Sequence, residues 1–297
     1  MVEKKFTIGW VLRNIFLWFI VVVMVFPFLH MLSVSLSGNV DVMKGSVSVL
    51  PMINGKIGAT LGTYKHVLSN PLIFTAYRNT IVYTVLGTAA ALFVLSTGAY
   101  ALSKPNRLLG GKTINILIMI TMFFGGGMVP TFLCIKWLGL YDTIWAVVLP
   151  GAFSAYNCII MRTFFSQFPK EIEESGKLDG LNDIGILWYL VLPTSGAVLA
   201  TIGLFVAVGQ WNAFFGPLLY LNGSEKYPLQ LILRQIVLQS VMDNFASGDS
   251  AAGANLQYAE NSVKYATIIV SILPIIAVYP FLQKYFVKGV MIGSVKG

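Results

Sequence analysis

Six long runs of apolar residues, none of them interrupted by a charged side chain, dominate this sequence of 297 residues. A helix that crosses about 30 Å of hydrocarbon needs roughly 20 apolar residues, and each run comes close to that length or exceeds it. The runs cover Ile15 to Val34, Thr80 to Leu102, Ile114 to Ile135, Thr143 to Met161, Trp188 to Phe215 and Tyr265 to Leu282. The sequence therefore predicts an all-α, polytopic membrane protein with six transmembrane helices.

Composition excludes a soluble protein and a nucleic-acid binder. Charged residues make up 11% of the chain and hydrophobic residues 56%, whereas an ordinary globular domain carries about 25% charged residues. The formal charge is +8, but Lys and Arg do not cluster on one face of a soluble domain, as a nucleic-acid site requires. The predicted solvent of most of the chain is the lipid bilayer.

The distribution of cations predicts the orientation. If both chain ends face the same side, twelve of the 20 Lys and Arg residues lie on that side, in the shorter loops. Positively charged segments stay in the cytoplasm, so both termini are predicted to be cytoplasmic. The predicted organisation is a cytoplasmic N-terminus over residues 1–13, a six-span membrane domain over 14–288 and a cytoplasmic tail over 289–297.

Two external segments are predicted, over residues 36–73 and 221–264. The first is rich in Gly and Pro, which favours turns over regular elements. The second contains an amphipathic stretch from Pro228 to Val241, which is too short and too polar to be a seventh span and is expected at an interface. His30, near the outer end of the first span, is expected to pack there with a hydrogen-bond partner, and a substrate role is the alternative.

Catalytic and metal-binding chemistry is not encoded by any recognisable cluster. The two histidines, His30 and His66, lie far apart in sequence without a nearby carboxylate. The stretch Gly110-Gly111-Lys112 lacks the first glycine of a phosphate-binding loop, because position 106 is Asn. The chain is therefore predicted not to be an enzyme and to hold no metal and no cofactor of its own.

The loop between the fourth and fifth runs differs from the rest of the chain, because it holds five of the twelve acidic residues. Pro169 suits a first helical turn, and Glu171, Glu173 and Glu174 complement a helix N-terminus. Gly180 offers a left-handed stop. The sequence predicts a short amphipathic helix within residues 167–181, with Ile172 and Leu178 on its apolar side and Lys170 able to pair with Glu174. A solvated connector is the alternative function.

The same loop resembles a motif of bacterial ABC-importer permeases, which reads EAA, three residues, Gly, nine residues and Ile-x-Leu-Pro. This sequence has Glu174-Ser175-Gly176, then Gly180, then Leu190, followed by Val191, Leu192 and Pro193 at the same spacing. Ser175, Gly176 and Leu190 depart from the pattern conservatively. Further stretches of the sequence resemble the carbohydrate-uptake, maltose-permease-like subunits of the LplC/YtcP type. These stretches are Pro27-Phe28 to Ser35, Phe123 to Phe132, Arg162-Thr163-Phe164, Leu178-Asp179-Gly180, Trp211-Asn212 and Lys288 to Gly297.

This resemblance, which covers nearly the whole chain, implies a type I importer permease fold in a bacterial cell membrane. It implies a second homologous permease, two cytoplasmic ATPases that hold ATP and Mg²⁺, and an extracytoplasmic binding protein that delivers a carbohydrate. The residues that it implies in coupling to the ATPases are Glu171, Glu174, Ser175, Gly176, Asp179, Gly180, Leu192 and Pro193, and the tail residues Gly293, Ser294 and Lys296 are implied to reach into the ATPase dimer, with a disordered end as the alternative.

Polar residues in the fifth run are candidates for a sugar pathway. Trp211 or Phe215 could stack on a sugar ring while Gln210 and Asn212 bond hydroxyl groups. Packing between paired permeases is the alternative, because amides are tolerated in a span wherever they face protein. Gly125 to Gly127 is expected to break the third span as a hinge, a cavity wall or a site of close packing, and the adjacent Phe124 is a further pathway candidate.

The predicted function is a permease subunit that imports an oligosaccharide or a polysaccharide-derived sugar. An importer of peptides or lipid-linked compounds is one alternative. A non-transporting membrane sensor or scaffold is the other.

Overall fold

The computed structural model describes residues 8–246, 262–277 and 280. Two units of the chain are compact, one formed by Met1–Ile73 with Leu233–Leu273 and the other by Phe74–Ile232 with Pro274–Gly297. The helices are α1 Ile8–Ser35, α2 Asn39–Met43, α3 Gly62–Ser69, α4 Pro71–Ser103, α5 Gly111–Phe123, α6 Met128–Trp137, α7 Ile144–Val148, α8 Ala155–Ser166, α9 Lys170–Leu178, α10 Asp183–Ile186, α11 Leu192–Thr194, α12 Gly196–Trp211, α13 Phe215–Tyr220, α14 Leu229–Ala246 and α15 Ser262–Ala277.

A π-helix at Leu187–Val191 and a 3₁₀ turn at Ser224–Lys226 complete the helical elements of the described residues. Two short strands, β1 Met52–Ile53 and β2 Lys56–Ile57, form an antiparallel hairpin in which Met52 pairs with Ile57. The prediction of an all-α protein is thus confirmed, with this hairpin as a small addition.

The apolar runs form helices, but they do not all form single spans. Among the described residues, α1 and α4 are long and apolar enough to cross a membrane, and a third span is added if the bent pair Asp183–Thr194 and Gly196–Trp211 counts as one. The third run is divided into α5 and α6, and the fourth into α7 and α8. The count of six spans is not confirmed by these helices and stays a prediction.

The division of the third run occurs at the predicted glycines. Helix α5 ends at Phe123, and α6 begins at Met128, directly after Gly127. Gly127 has φ +86°, in the region that L-residues with a side chain rarely adopt. The predicted break is therefore confirmed.

The fifth run is irregular before Pro193 and bent after it. A proline has no N–H for the carbonyl four residues earlier, and its ring clashes with that carbonyl. The turn before Pro193 widens into the π-helix Leu187–Val191, and the axis then changes by 85° between Asp183–Thr194 and Gly196–Trp211. This bend directs the chain from the loop containing α9 into helix α12.

The segment after α1 has more regular structure than predicted. It contains α2, the β1–β2 hairpin and α3, so the expectation of turns alone is wrong. Hydrogen bonds tie it to the end of α1: His30 Nδ1 lies 2.8 Å from the carbonyl of Ser48, and Ser35 Oγ lies 2.7 Å from the hydroxyl of Tyr64. The expected hydrogen-bond partner of His30 is confirmed.

The largest apolar core brings α4, α8 and α12 together with the residues that follow α9. Its buried members are Ala91, Leu95, Ala99, Tyr100, Leu102, Cys158, Met161, Phe165, Ile186, Leu187, Val191, Val198, Ile202 and Val206. Because the π-helix contributes Leu187 and Val191, this core holds the loop of α9 against the end of α4.

Candidate functional site

Helix α9 forms where the acidic loop predicted it, over Lys170–Leu178, with Pro169 as its N-cap. Its first turn carries Glu171 and Glu173. The positive end of the helix dipole stabilises their negative charges. The structure shows no ion pair between Lys170 and Glu174. The i,i+4 pairing that the sequence allows is therefore not part of this helix.

The C-terminus of α9 is a Schellman motif. The amide of Leu181 donates to the carbonyl of Gly176 at 2.9 Å, and the amide of Gly180 donates to the carbonyl of Lys177 at 3.0 Å. Gly180 has φ +85°, which this motif requires at the position after the C-cap. The left-handed stop predicted at Gly180 is confirmed.

Gly176 lets α9 pack directly on the chain that returns to the membrane. It is buried, and a Cβ atom at this position would lie 2.8 Å from Cδ1 of Leu190. Two of the three departures from the permease motif, Gly176 for Ala and Leu190 for Ile, therefore face each other. The smaller residue at one position accommodates the longer branch at the other.

Glu173 is the residue of this loop whose structural role the sequence analysis missed. Its side chain is buried, with the whole residue 5% exposed. Oε1 lies 2.5 Å from Nζ of Lys104, and Oε2 lies 3.7 Å from Nη1 of Arg107. Lys104 Nζ also donates to the hydroxyl of Tyr100 at 2.8 Å. This ion cluster fastens α9 to the end of α4.

The opposite face of α9 is open. Glu171, Glu174, Ser175 and Asp179 are all exposed. Leu178 is 90% exposed and Ile172 is exposed as well. Ile172 and Leu178 therefore lie away from the side of the helix that packs on this chain, which carries Glu173 and Gly176. The surface of α9 therefore combines carboxylates with exposed apolar side chains.

The remaining motif residues lie at the bend. Leu192 is half-buried and Pro193 is exposed, and both belong to the short helix α11 that follows the π-helix. Asn182 caps α10 by accepting a hydrogen bond from the amide of Gly185 at 2.7 Å. The motif thus covers four consecutive structural features: the short helix α9, its left-handed C-terminal residue Gly180, the N-capped helix α10 and the bend that follows.

Gln210 is held by close packing. It is 9% exposed, and Cβ atoms added at Gly87 and Gly151 would lie 2.8 Å and 2.6 Å from its Nε2. The amide is therefore enclosed between α4 and the turn before α8. This geometry favours the packing alternative for Gln210.

The other pathway candidates differ in exposure. Trp211 is buried, and its indole Nε1 has no hydrogen-bond acceptor in the part of the chain that the structure describes. Asn212 is exposed, and its Nδ2 donates to the carbonyl of Val208 at 2.9 Å. Phe215 and Phe124 are exposed, the latter by 76%. The tail residues Gly293, Ser294 and Lys296 lie outside the described residues.

Comparisons with known proteins identify the family. Residues 111–292 match the model of the family described as "Binding-protein-dependent transport system inner membrane component". Protein LplC of Bacillus subtilis (strain 168) is 44% identical over 92% of this chain and 90% of its own length. The polygalacturonan/rhamnogalacturonan transport system permease protein YtcP of the same organism is 41% identical over 95% of this chain and 96% of its own length.

A solved structure agrees with this assignment across the fold. It is a bacterial ABC transporter involved in the import of the acidic polysaccharide alginate, and the matched chain is 34% identical with a TM-score of 0.84. The match covers 96% of this chain and 99% of that one. This chain belongs to the family of binding-protein-dependent transport system inner membrane components.

Proposed function

We propose that this chain is the permease subunit of an ATP-driven importer that moves an oligosaccharide or a polysaccharide-derived sugar into the cytoplasm. Two similar proteins support a carbohydrate substrate: YtcP is named for polygalacturonan/rhamnogalacturonan transport, and the structural neighbour imports alginate. Because alginate is an acidic polysaccharide, acidic oligosaccharides are the first substrates to test. The sugar is received from an extracytoplasmic binding protein.

The observation that carries the proposal is the exposed face of α9. A helix of nine residues that presents Glu174 and Leu178 to solvent, while Glu173 and Gly176 anchor it from behind, is built to dock in a groove of another protein. The charged side chains suit the polar rim of such a groove, and the apolar side chains suit its hydrophobic floor. The partner is the cytoplasmic ATPase, and the residues at the contact are Glu171, Glu174, Ser175 and Asp179.

In this proposal the chain itself performs no covalent chemistry. ATP and Mg²⁺ are bound by two ATPase subunits, and a second homologous permease completes the pathway. Closure of the ATPases moves α9, and the anchored helix transmits this movement to α4 and, through the bend at Pro193, to α12. Transport then requires that ATP binding stabilise one conformation of the permease pair more than the other.

The orientation in this proposal places both termini, α9 and the loop of Lys104 on the cytoplasmic side of a bacterial cell membrane. The asymmetry of cations supports it. The tail residues Gly293, Ser294 and Lys296 are assigned a contact with the ATPases by their resemblance to permease tails. A cysteine at Asn106 should stay unlabelled by an impermeant thiol reagent in intact cells, whereas one at Gly58 should react.

We retain Trp211, Asn212, Phe215 and Phe124 as candidates for contact with the sugar. We assign Gln210 to helix packing. The buried indole N–H of Trp211 lacks an acceptor among the described residues, so it is able to donate to a sugar hydroxyl or to the partner permease. Trp211→Ala should reduce sugar uptake while leaving the permease pair assembled. Loss of the pair in detergent would instead assign Trp211 to assembly.

Two variants test the docking face directly. Glu174→Lys reverses a charge on the exposed face, and Gly180→Val strains the stop at a cost of about 1–3 kcal/mol. Both should insert into the membrane and either lose co-purifying ATPase or fail to stimulate it when loaded binding protein is added. Glu225→Lys is the matched control, because Glu225 is also exposed and lies far from α9 in the sequence.

Wild-type ATPase recovery and full stimulation in both variants would remove α9 from the coupling role.

The substrate class is tested separately by titrating the binding protein with acidic oligosaccharides, neutral oligosaccharides and peptides. Binding of peptides alone would contradict the carbohydrate assignment. Stimulated ATP turnover without any accumulated solute would favour a sensor.

A further inference from the structure

A cavity of about 460 Å³ opens beside the ion cluster of Glu173. One wall is the last part of α4, with Phe93, Thr97 and Tyr100, and the other is formed by residues after α9 that include Trp188. Lys104 and Arg107 lie at one end of the cavity. The docking face of α9, formed by Glu174 and Leu178, does not line it. The cavity is therefore apolar along its length and cationic at one end.

The length of the apolar wall corresponds to one leaflet of a membrane. Phe93 and Ser103 are ten residues apart on the continuous helix α4, so they are separated by about 15 Å at 1.5 Å per residue. The hydrocarbon core of a bilayer is about 30 Å thick. With Lys104 and Arg107 at the level of the headgroups, as the proposed orientation implies, a wall of about 15 Å reaches close to the centre of the membrane.

The charges around the cationic end do not cancel. Lys104, Arg107 and Lys177 face two carboxylates, because Glu173 pairs with Lys104 and Arg107 while Asp183 lies 3.3 Å from Lys177. One positive charge remains. Arg107 is the cation that can bind an added ligand, because its side chain is 52% exposed and its Nη1 lies as far as 3.7 Å from Oε2 of Glu173.

The aromatic residues at this level also suit a lipid surface. Trp188, which lines the cavity, and the neighbouring Tyr189 are both exposed, Tyr189 by 74%. Trp and Tyr are enriched where headgroups meet hydrocarbon. A ligand that fills this cavity therefore needs an apolar chain about one leaflet long and a single negative charge at its end.

We propose that this cavity binds one acidic phospholipid of the cytoplasmic leaflet. An acyl chain lies along Phe93, Thr97 and Ala101, and the phosphodiester accepts hydrogen bonds from Arg107. Because Arg107 is shared with Glu173, the lipid and the carboxylate of α9 compete for the same cation. Lipid occupancy then alters how firmly α9 is held on α4. The depth of the site rests on the proposed orientation, but the binding itself requires neither sugar nor ATP.

The test measures bound lipid by native mass spectrometry. The full chain, co-expressed with its partner subunits, is purified in detergent, exposed to phosphatidylglycerol or phosphatidylcholine, and analysed for retained lipid. Wild type should retain one phosphatidylglycerol in preference to phosphatidylcholine. Arg107→Gln should weaken this retention about fivefold, as removal of one cation near a lipid headgroup does. Thr97→Trp should abolish it by filling the apolar end.

Two control variants match these changes. Lys112→Gln removes an exposed cation that does not line the cavity, and Val94→Trp adds the same bulk to a neighbouring exposed position of α4. Both should retain the lipid as wild type does. Equal retention in Arg107→Gln, in Thr97→Trp and in wild type would overturn the proposal, and so would an equal loss in Lys112→Gln.

Soluble phosphates separate the remaining explanations. An excess of glycerol 3-phosphate or of inorganic phosphate should not displace the bound lipid, because neither fills the apolar wall. Displacement by either one would overturn the lipid assignment in favour of a soluble anion. A complex in which wild type carries no phosphatidylglycerol would overturn it in favour of a partner subunit that covers the cavity. None of these results depends on transport, so failure here leaves the proposed function standing.

Discussion

The two ends of α4 are fastened in different ways. At its Ser103 end, the ionic connection to α9 depends on one carboxylate, Glu173, which is buried between Lys104 and Arg107. At its Pro71 end, several neutral hydrogen bonds reach the segment from Glu225 to Leu229, the first residue of α14. Asn79 Nδ2 donates to the carbonyl of Glu225 at 2.7 Å, and other bonds join Tyr83 to the carbonyl of Lys226 and the amide of Leu229 to Thr80.

The Pro71 end of α4 should tolerate substitutions better than the Ser103 end. Each neutral hydrogen bond at the Pro71 end contributes only a modest free energy of stabilisation. The loss of one bond leaves the others in place. A buried carboxylate that pairs with two cations has no substitute, because its removal leaves their charge uncompensated. The Pro71 end is therefore a redundant structural joint. The ionic joint at the Ser103 end has a single carboxylate, Glu173.

The largest expected effect is at Glu173. Glu173→Gln keeps the size of the side chain but leaves Lys104 without its counter-charge, and it should destabilise the purified chain by about 3 kcal/mol. Thermal unfolding in detergent measures this loss. The exposed neighbour Glu174 gives the matched control, since Glu174→Gln should change stability by about 0.5 kcal/mol or less.

A charge swap then separates pairing from packing. The double variant Glu173→Lys with Lys104→Glu should recover most of the stability that Glu173→Lys alone loses. No recovery would mean that the carboxylate acts by shape, and the comparison between the two ends of α4 would fail.

The next effect concerns the contact between Gly176 and Leu190. Gly176→Ala places a methyl group against Leu190, and such overpacking should cost about 1–3 kcal/mol. Leu190→Val shortens the opposing side chain, so the double variant should be more stable than the sum of the two single changes predicts. Thermal unfolding of all four proteins measures this coupling. Strict additivity would show that the two residues do not oppose each other.

A smaller effect is expected at the redundant end. Asn79→Ala removes the bonds from Nδ2 to the carbonyls of Glu225 and Tyr227. Because Tyr83 and Thr80 still hold the joint, the cost should be about 1 kcal/mol, and binding-protein-stimulated ATP turnover should persist. Stability is measured by thermal unfolding and turnover in liposomes. A loss as large as that of Glu173→Gln would refute the redundancy of this end.

The smallest effect concerns the half-buried pair of Asp142 and Lys226. The hydrogen bond from Lys226 and then the amide of Asn222 hold the pKa of Asp142 below its ordinary value of 3.8. The pair therefore contributes stability above that value, and the contribution is lost as the pH falls through the lowered pKa. The stability difference between wild type and Asp142→Asn should shrink between about pH 7 and about pH 3. An unchanged difference would show that the ion pair contributes nothing.

The sequence predicted the features that depend on local chemistry. Gly180 was identifiable because a helix that ends in a left-handed residue favours glycine, and the break at Gly125 to Gly127 was identifiable because consecutive glycines weaken a span. The acidic first turn of α9 was also readable from its spacing. Each of these properties is determined within a few residues of the chain.

The features that the sequence did not predict depend on distant contacts. The partners of Glu173 are Lys104 and Arg107, and no local pattern distinguishes this glutamate from Glu171 or Glu174. Gln210 was a pathway candidate because an amide in a span is unusual, whereas its packing against Gly87 and Gly151 is a property of the assembled fold. The same limit applies to Leu178, whose exposure cannot be deduced from its apolar character.

Site-specific cross-linking tests whether the exposed face of α9 contacts the ATPase, as we propose. In a chain with Cys134→Ser, which removes the exposed native cysteine, Leu178→Cys carries a photoactivatable thiol-linked probe, and Ile57→Cys carries the same probe as a control on an exposed residue of β2. We expect a covalent adduct between Leu178→Cys and the ATPase, lost when Glu174→Lys is added, and none from Ile57→Cys. An intact, stimulated complex without an adduct at Leu178→Cys would contradict the claim.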